Sequence, residues 1–261
     1  MTGRKAALVL MFIAAHFSFA QPVRADEGET AKQRLAVIFI LSERLVELKG
    51  VAGGEKYSTE LTGFANAFEQ AVVSEVAATG QYELVPEQGA RELFVAQRKR
   101  AEGRKNKFDI EPVLDHLSQL DVDRLVVIES QDISASWMAG GLYFTSTTPA
   151  LSVLRWSRRS YLTAIFATYT TAYVVSGEQG RVRGEKKALS VKLDHEIWPK
   201  DDVEMSTESA AALVESVLPF AVPVAIDAMC KREVLEFEET RKLDKRVLGK
   251  TKNVCIPIAA D

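Results

Sequence analysis

Cysteine is scarce in this chain: Cys230 and Cys255 are the only two, and both lie near the C-terminal end. Their spacing excludes a Cys-x-x-Cys redox pair and a cysteine-based zinc site. Neither stands where the lipid-bearing first residue of a mature lipoprotein must stand. Histidine is nearly as rare, with three residues, of which His16 falls in an N-terminal apolar run. That leaves His116 and His195 as possible bases, and no glycine–serine elbow accompanies either of them. Strong charge of one sign is also missing. A formal net charge of −3 argues against general binding of polyanions such as nucleic acid.

Long apolar runs are confined to the start of the chain. Arg4 and Lys5 precede an apolar stretch over residues 6–20, closed by small residues at Ser18-Phe19-Ala20 or Val23-Arg24-Ala25. This is the layout of a secretory signal peptide. The stretch is shorter than the roughly 18–20 apolar residues a spanning helix needs. Cleavage near Ala20 or Ala25, a periplasmic address and a mature chain without a transmembrane helix are therefore expected. The best later candidate, residues 210–229, carries Glu215 and Asp227 and contains Pro219 and Pro223. In an exported protein the two cysteines are expected to form a disulfide, the alternative being two buried thiols.

What is present reads as alternating elements. Residues 34–41 form a continuous apolar run of strand length. Leu61, Phe64, Phe68, Val72 and Val76 recur at helical spacing, with Ser58 or Thr59 as the cap and Gly80 as the stop. A short strand is expected over residues 81–85 and a helix with a basic distal half over 87–105. Asp109 is placed to cap a further helix over 110–120, and residues 123–129 repeat the buried-strand pattern. Residues 161–175 and 181–193 flank a Ser176–Gly180 turn and read as a hairpin. A helix over 207–231 is expected to be kinked or interrupted by its two prolines. Beyond it, Glu238 is spaced to meet Lys242 in a charged helix over 233–248, and residues 254–258 end the chain as a short edge strand. The pattern predicts a mixed-sheet α/β sandwich with an antiparallel hairpin and a C-terminal helical tail, divided as residues 1–25 (signal), 26–231 (domain) and 232–261 (tail).

The run from Leu61 to Gly80 followed by Gln81-Tyr-Glu-Leu-Val-Pro86, and the later Leu117-Ser-Gln-Leu-Asp-Val-Asp-Arg-Leu-Val-Val-Ile128, carry a resemblance. They resemble the helix–glycine–strand and helix–aspartate–strand motifs of the periplasmic TolB amino-terminal, CsgG and LpoB-like domain family. The pattern spans residues 34–231. It departs at Val122, where a small residue is usual, and at Arg124, where an aromatic is common. The resemblance implies binding, scaffolding or secretion in a cell envelope, and supplies no catalytic residues.

Three constellations bear on chemistry. The glycine-containing residues 50–58 fail as a phosphate loop, because Glu55 and Tyr57 separate Lys56 and Ser58 from the contiguous pattern that loop requires. Asp194, His195 and Glu196 are adjacent, and neighbouring strand residues point to opposite faces, so no metal is expected there. A basic segment over residues 91–107 reads either as the solvated end of a helix or as a patch for anionic envelope material.

The most suggestive segment runs from Ile133 to Gly177, where no Asp or Glu occurs. It concentrates Trp137, Met138, Tyr143, Phe144, Arg155, Trp156, Arg158 and Arg159, the aromatic and arginine mixture enriched at interface cores. These residues either cover the chain's own sheet or contact a partner. The function expected is that of an exported, non-enzymatic envelope protein, without cofactor, that binds another envelope protein as accessory, adaptor or assembly factor. The alternative is a subunit of an oligomeric secretion or outer-membrane channel.

Overall fold

In the computed structural model, which describes residues 32–49, 56–102, 108–130, 151–155, 159–176, 180–250 and 252–259, strand β1 (Gln33–Ile40) sets the architecture. Leu35, Val37 and Phe39 enter one hydrophobic cluster, while Ala36 and Ile38 enter another. A strand buried on both faces must lie inside a sheet covered on both sides. The signal-peptide reading falls on residues 1–25, outside the described residues.

The remaining elements follow as β2 (Arg44–Lys49), β3 (Lys56–Glu60), α1 (Phe64–Ala78), β4 (Tyr82–Leu84), α2 (Gln88–Glu102), α3 (Glu111–Ser118) and β5 (Arg124–Ser130). After them come β6 (Leu151–Arg155), β7 (Tyr161–Val174), β8 (Gly180–Asp194), α4 (Thr207–Cys230), β9 (Phe237–Lys242), β10 (Val247–Leu248) and β11 (Asn253–Pro257). Among the described residues nine strands form one mixed sheet in the path β3-β2-β6-β7-β5-β1-β4, with β8 on β7 and β10 on β8. The long β7 is the spine. It pairs with β8 from end to end, and its other edge is shared by β6 along Leu162–Phe166 and β5 along Thr168–Val174. Helices α1 and α4 cover one face and α2 and α3 the other, which is the expected α/β sandwich.

Helix α1 buries the expected stripe, Phe64, Phe68, Val72 and Val76. Phe68 packs edge-on to Phe39 (6.1 Å) and against Phe166 (5.0 Å), tying the helix to β1 and β7. Burying each such ring stabilises by about 1.5–3 kcal/mol. The start of the helix differs from expectation. Ser58 and Thr59 belong to β3, and the helix begins after Gly63, whose φ of 85° is one a side chain resists. The Glu43 carboxylate accepts from Ala65 N–H (3.3 Å) in place of a local cap. Gly80, at φ 64°, ends the helix as expected. At α3 the N-cap is Ile110, but Asp109 still accepts from Glu111 N–H (3.1 Å).

Helix α4 is continuous across Pro219 and Pro223. Leu213, Val217, Phe220 and Val224 are buried against the sheet, and that packing outweighs the hydrogen bonds the prolines remove. By length and composition α4 is also apolar enough to cross a membrane, despite Glu215 and Asp227. Here it is a core helix, ion-paired and disulfide-bonded to neighbouring strands.

The largest correction lies beyond Cys230. Val234 N–H bonds back to Met229 O (3.1 Å) and Glu233 N–H to Cys230 O (3.0 Å), with Glu233 at φ 57°. This is a Schellman-type stop. The expected helix over residues 233–248 is absent: β9 pairs antiparallel with β11, and β10 joins the main sheet. The i, i+4 spacing of Glu238 and Lys242 suited a helix, but the β-branched Val254 and Ile256 offer β9 a ladder and the Cys230–Cys255 disulfide holds that ladder on α4. Val234, Leu235, Val247 and Val254 all enter the α1–α4 core, so the tail belongs to the domain rather than trailing from it. Tyr82 strengthens the junction by donating to Val234 O (2.5 Å), and burial pushes its phenol above the ordinary value.

Candidate functional site

The surface expected to meet a partner surrounds the start of β7. Trp137, Met138, Tyr143, Phe144, Trp156 and Arg158 lie outside the described residues. Arg155 and Arg159, four positions apart, are described and differ sharply.

Arg155 ends β6, a strand buried at every position. Its side chain turns into the α1–α4 side of the sheet, where Nε lies 2.5 Å from Glu47 of β2. It also donates to Pro199 O (2.7 Å) and stands 5.3 Å from the Trp198 ring centroid. Glu47 is fully buried, and the guanidinium offsets the cost of holding its carboxylate there. The expectation that Arg155 anchors a partner is therefore corrected: it is an internal counter-ion.

Arg159 is exposed. Its guanidinium lies 5.5 Å from the Tyr161 ring centroid, and Lys192 Nζ lies 4.9 Å from the same centroid. Both cations are attracted to the electron-rich ring faces. The hairpin register explains the arrangement, since β8 sets Lys192 opposite Thr163 and Asp194 opposite Tyr161. His195 Nε2 donates to Arg159 O (2.7 Å), fixing the main chain at this corner. That bond also engages the histidine of the Asp194-His195-Glu196 run. Among the described residues no three His, Cys, Asp or Glu side chains gather in a metal-holding group. His116 packs against α2, where a Cβ on Gly89 would come within 2.8 Å of its Nε2.

Part of the basic segment over residues 91–107 is neutralised internally. Arg98 pairs with Glu129 (2.5 Å) and lies over Phe94 and Phe108 at 5.5 and 4.8 Å. Arg91 reaches Glu69 (3.5 Å) and Glu87 (4.0 Å). Burial, reinforced by Glu69 and opposed by Arg91, holds the Glu87 carboxyl above the usual carboxylate range. Residues 103–107 lie outside the described residues.

One site escaped sequence reasoning. Asp227 of α4 is buried, and its Oδ2 receives Lys187 of β8 (2.8 Å) and Lys231 (2.9 Å). Its Oδ1 accepts Cys255 N–H (3.1 Å), and Glu185 binds Lys187 (3.3 Å) and Arg232. A lone carboxylate in the apolar half of α4 was the available signal. The cluster joins α4, β8 and β11 beside the disulfide, and its chemistry is that of a structural clamp.

Neither a family model nor a curated protein matches the sequence. Among solved structures, the chain is similar to the hypothetical protein CT253 from Chlamydia trachomatis, at 10% identity and a TM-score of 0.36, over 73% of this chain and 98% of that one. It is also similar to lipoprotein GNA1162 from Neisseria meningitidis, at 10% identity and a TM-score of 0.29, over 72% and 96% of the two chains. Likenesses this distant assign no role.

Proposed function

We propose that this chain is an exported, non-enzymatic envelope protein that binds another envelope protein as an accessory, adaptor or assembly factor. The observation that carries the reading is the corner at Arg159, Tyr161 and Lys192. An exposed arginine and a lysine share one tyrosine ring there, and Arg159 and Tyr161 fall in residues 133–177, which contain no acid. Aromatic and guanidinium groups of this kind carry much of the energy at protein interfaces. The disulfide supports an oxidising compartment, in agreement with the export-type N-terminus. Burial of β7 from Leu162 to Thr168 on both faces favours this reading over the channel subunit, whose lipid-facing strand would expose alternate residues.

The test is site-specific photo-crosslinking in cells at Arg159 and Lys192, with Ser118 as a remote control. A discrete envelope protein captured from the two corner positions and not from Ser118 is expected. Absence of any adduct at both corner positions contradicts the proposal.

A further inference from the structure

Among the described residues the β9–β11 ladder leaves one strand edge open. There β9 pairs only with β11, and all six of its side chains are exposed. In antiparallel ladders, successive residues turn their main-chain groups alternately toward one neighbour and then the other. Leu243 N–H donates to Lys252 O (2.7 Å), so Leu243, Arg241 and Glu239 face β11. Thr240 and Lys242 turn their N–H and C=O groups outward. Glu238 falls at the register shift opposite Ile256/Pro257 and has no partner residue on β11.

Open edges are often guarded by charged side chains, especially lysine, which discourage pairing with a second chain. The order here is different: Phe237-Glu-Glu-Thr240-Arg-Lys-Leu243 reads apolar, acidic, acidic, neutral, basic, basic, apolar. Reversing the strand inverts every charge. Among the described residues none of the four charges takes part in an ion pair.

We infer that β9 pairs with β9 of a second copy of this chain, antiparallel about a two-fold axis at Thr240. Thr240 then faces Thr240 as a hydrogen-bonded pair, Glu239 faces Arg241, Glu238 faces Lys242, and Phe237 meets Leu243. Charge and ladder geometry select this register. Moving the axis half a residue sets outward-facing main chain against inward-facing main chain. Moving it a full residue sets Glu239 against Glu239 or Arg241 against Arg241. Parallel pairing in register aligns like charges throughout. The product is a closed β11-β9-β9-β11 sheet that stops at two copies, as an isologous interface does. It uses residues 237–243, apart from the Arg159–Tyr161–Lys192 corner, and does not depend on that reading.

The test is sedimentation equilibrium of the full purified chain and two charge variants. One variant carries Glu238→Lys with Glu239→Lys, the other Arg241→Glu with Lys242→Glu. The wild-type chain is expected to shift to about twice the monomer mass as concentration rises. Each variant alone stays at monomer mass, and an equimolar mixture recovers the dimer because every facing pair is again opposite. Circular dichroism and a non-reducing gel establish that each variant is folded with its disulfide intact. Thr240→Cys gives a second measurement, since residues in a hydrogen-bonded pair lie about 5.5 Å apart at Cα and can be bridged. It is expected to crosslink two copies, while Lys250→Cys does not. A monomeric wild type at every concentration, dimeric variants, or a monomeric mixture overturns the inference.

Discussion

The α4–β8 clamp and strand β9 both carry acidic and basic side chains, yet the two sets face opposite ways. Asp227, Lys187 and Glu185 spend their charge on one another, inside the fold. Glu238, Glu239, Arg241 and Lys242 carry theirs on an exposed strand. The difference lies in what each group loses on leaving water. A buried carboxylate must recover its hydration from fixed donors, so its partners are set by the fold. An exposed one loses little, so its order along the strand is open to selection by something outside the monomer. Arg155 and Arg159 repeat the contrast at the other end of the sheet, one clamped on Glu47 and the other above Tyr161 at the surface.

Removing one member of a buried pair is the hardest test of that contrast. Asp227→Ala leaves the buried Lys187 with Glu185 in place of two carboxylates and Cys255 N–H without its acceptor, and should cost about 3 kcal/mol in urea unfolding. Arg155→Ala should cost a similar amount by taking the guanidinium away from the buried Glu47 carboxylate. If either variant unfolds like the wild type, the clamp is misread. Replacing Cys230 and Cys255 by serine removes the covalent tie but keeps the ion pairs, and should cost about 2–4 kcal/mol. Glu87 gives a smaller, pH-dependent effect. Its folded-state pKa is raised, so the native protein holds that proton more tightly than the unfolded chain does. The ionised carboxylate therefore weakens the fold above the usual carboxylate range, and the penalty disappears as pH falls below it. Glu87→Gln should raise Tm at pH 7, with the gain vanishing near pH 4, about the unperturbed glutamate value. Smallest of all, Glu239→Gln or Arg241→Gln should change the stability of the dilute monomer by no more than about 0.5 kcal/mol.

The sequence was legible wherever one element's own pattern decided its fate. The four-residue stripe of α1, the apolar runs of β1 and β5, and the β7–β8 hairpin could each be read locally. Strands β2, β3 and β6 could not. Glu47 makes β2 look like a surface segment, and its partner Arg155 lies far along the chain. The same reasoning hid Asp227, whose partners sit on β8 and in the stop that follows α4. The tail failed for another reason. Its helix-like charge spacing competes with a ladder to β11, and the Schellman-type stop at Glu233 decides the outcome by turning the chain before a helix can continue. Of the candidate surface, Arg159 lies at the exterior, while Arg155, still within β6, is turned inward.

The central claim, that inward charges hold the fold while the β9 edge is kept for a second copy, predicts a pattern of amide hydrogen exchange. The amide of Arg241 faces β11 and should be protected at every protein concentration. The amides of Thr240 and Lys242 face outward and should exchange freely in dilute solution, then become protected as concentration rises through the dimerisation range. Protection of Thr240 and Lys242 that does not change with concentration would contradict the account.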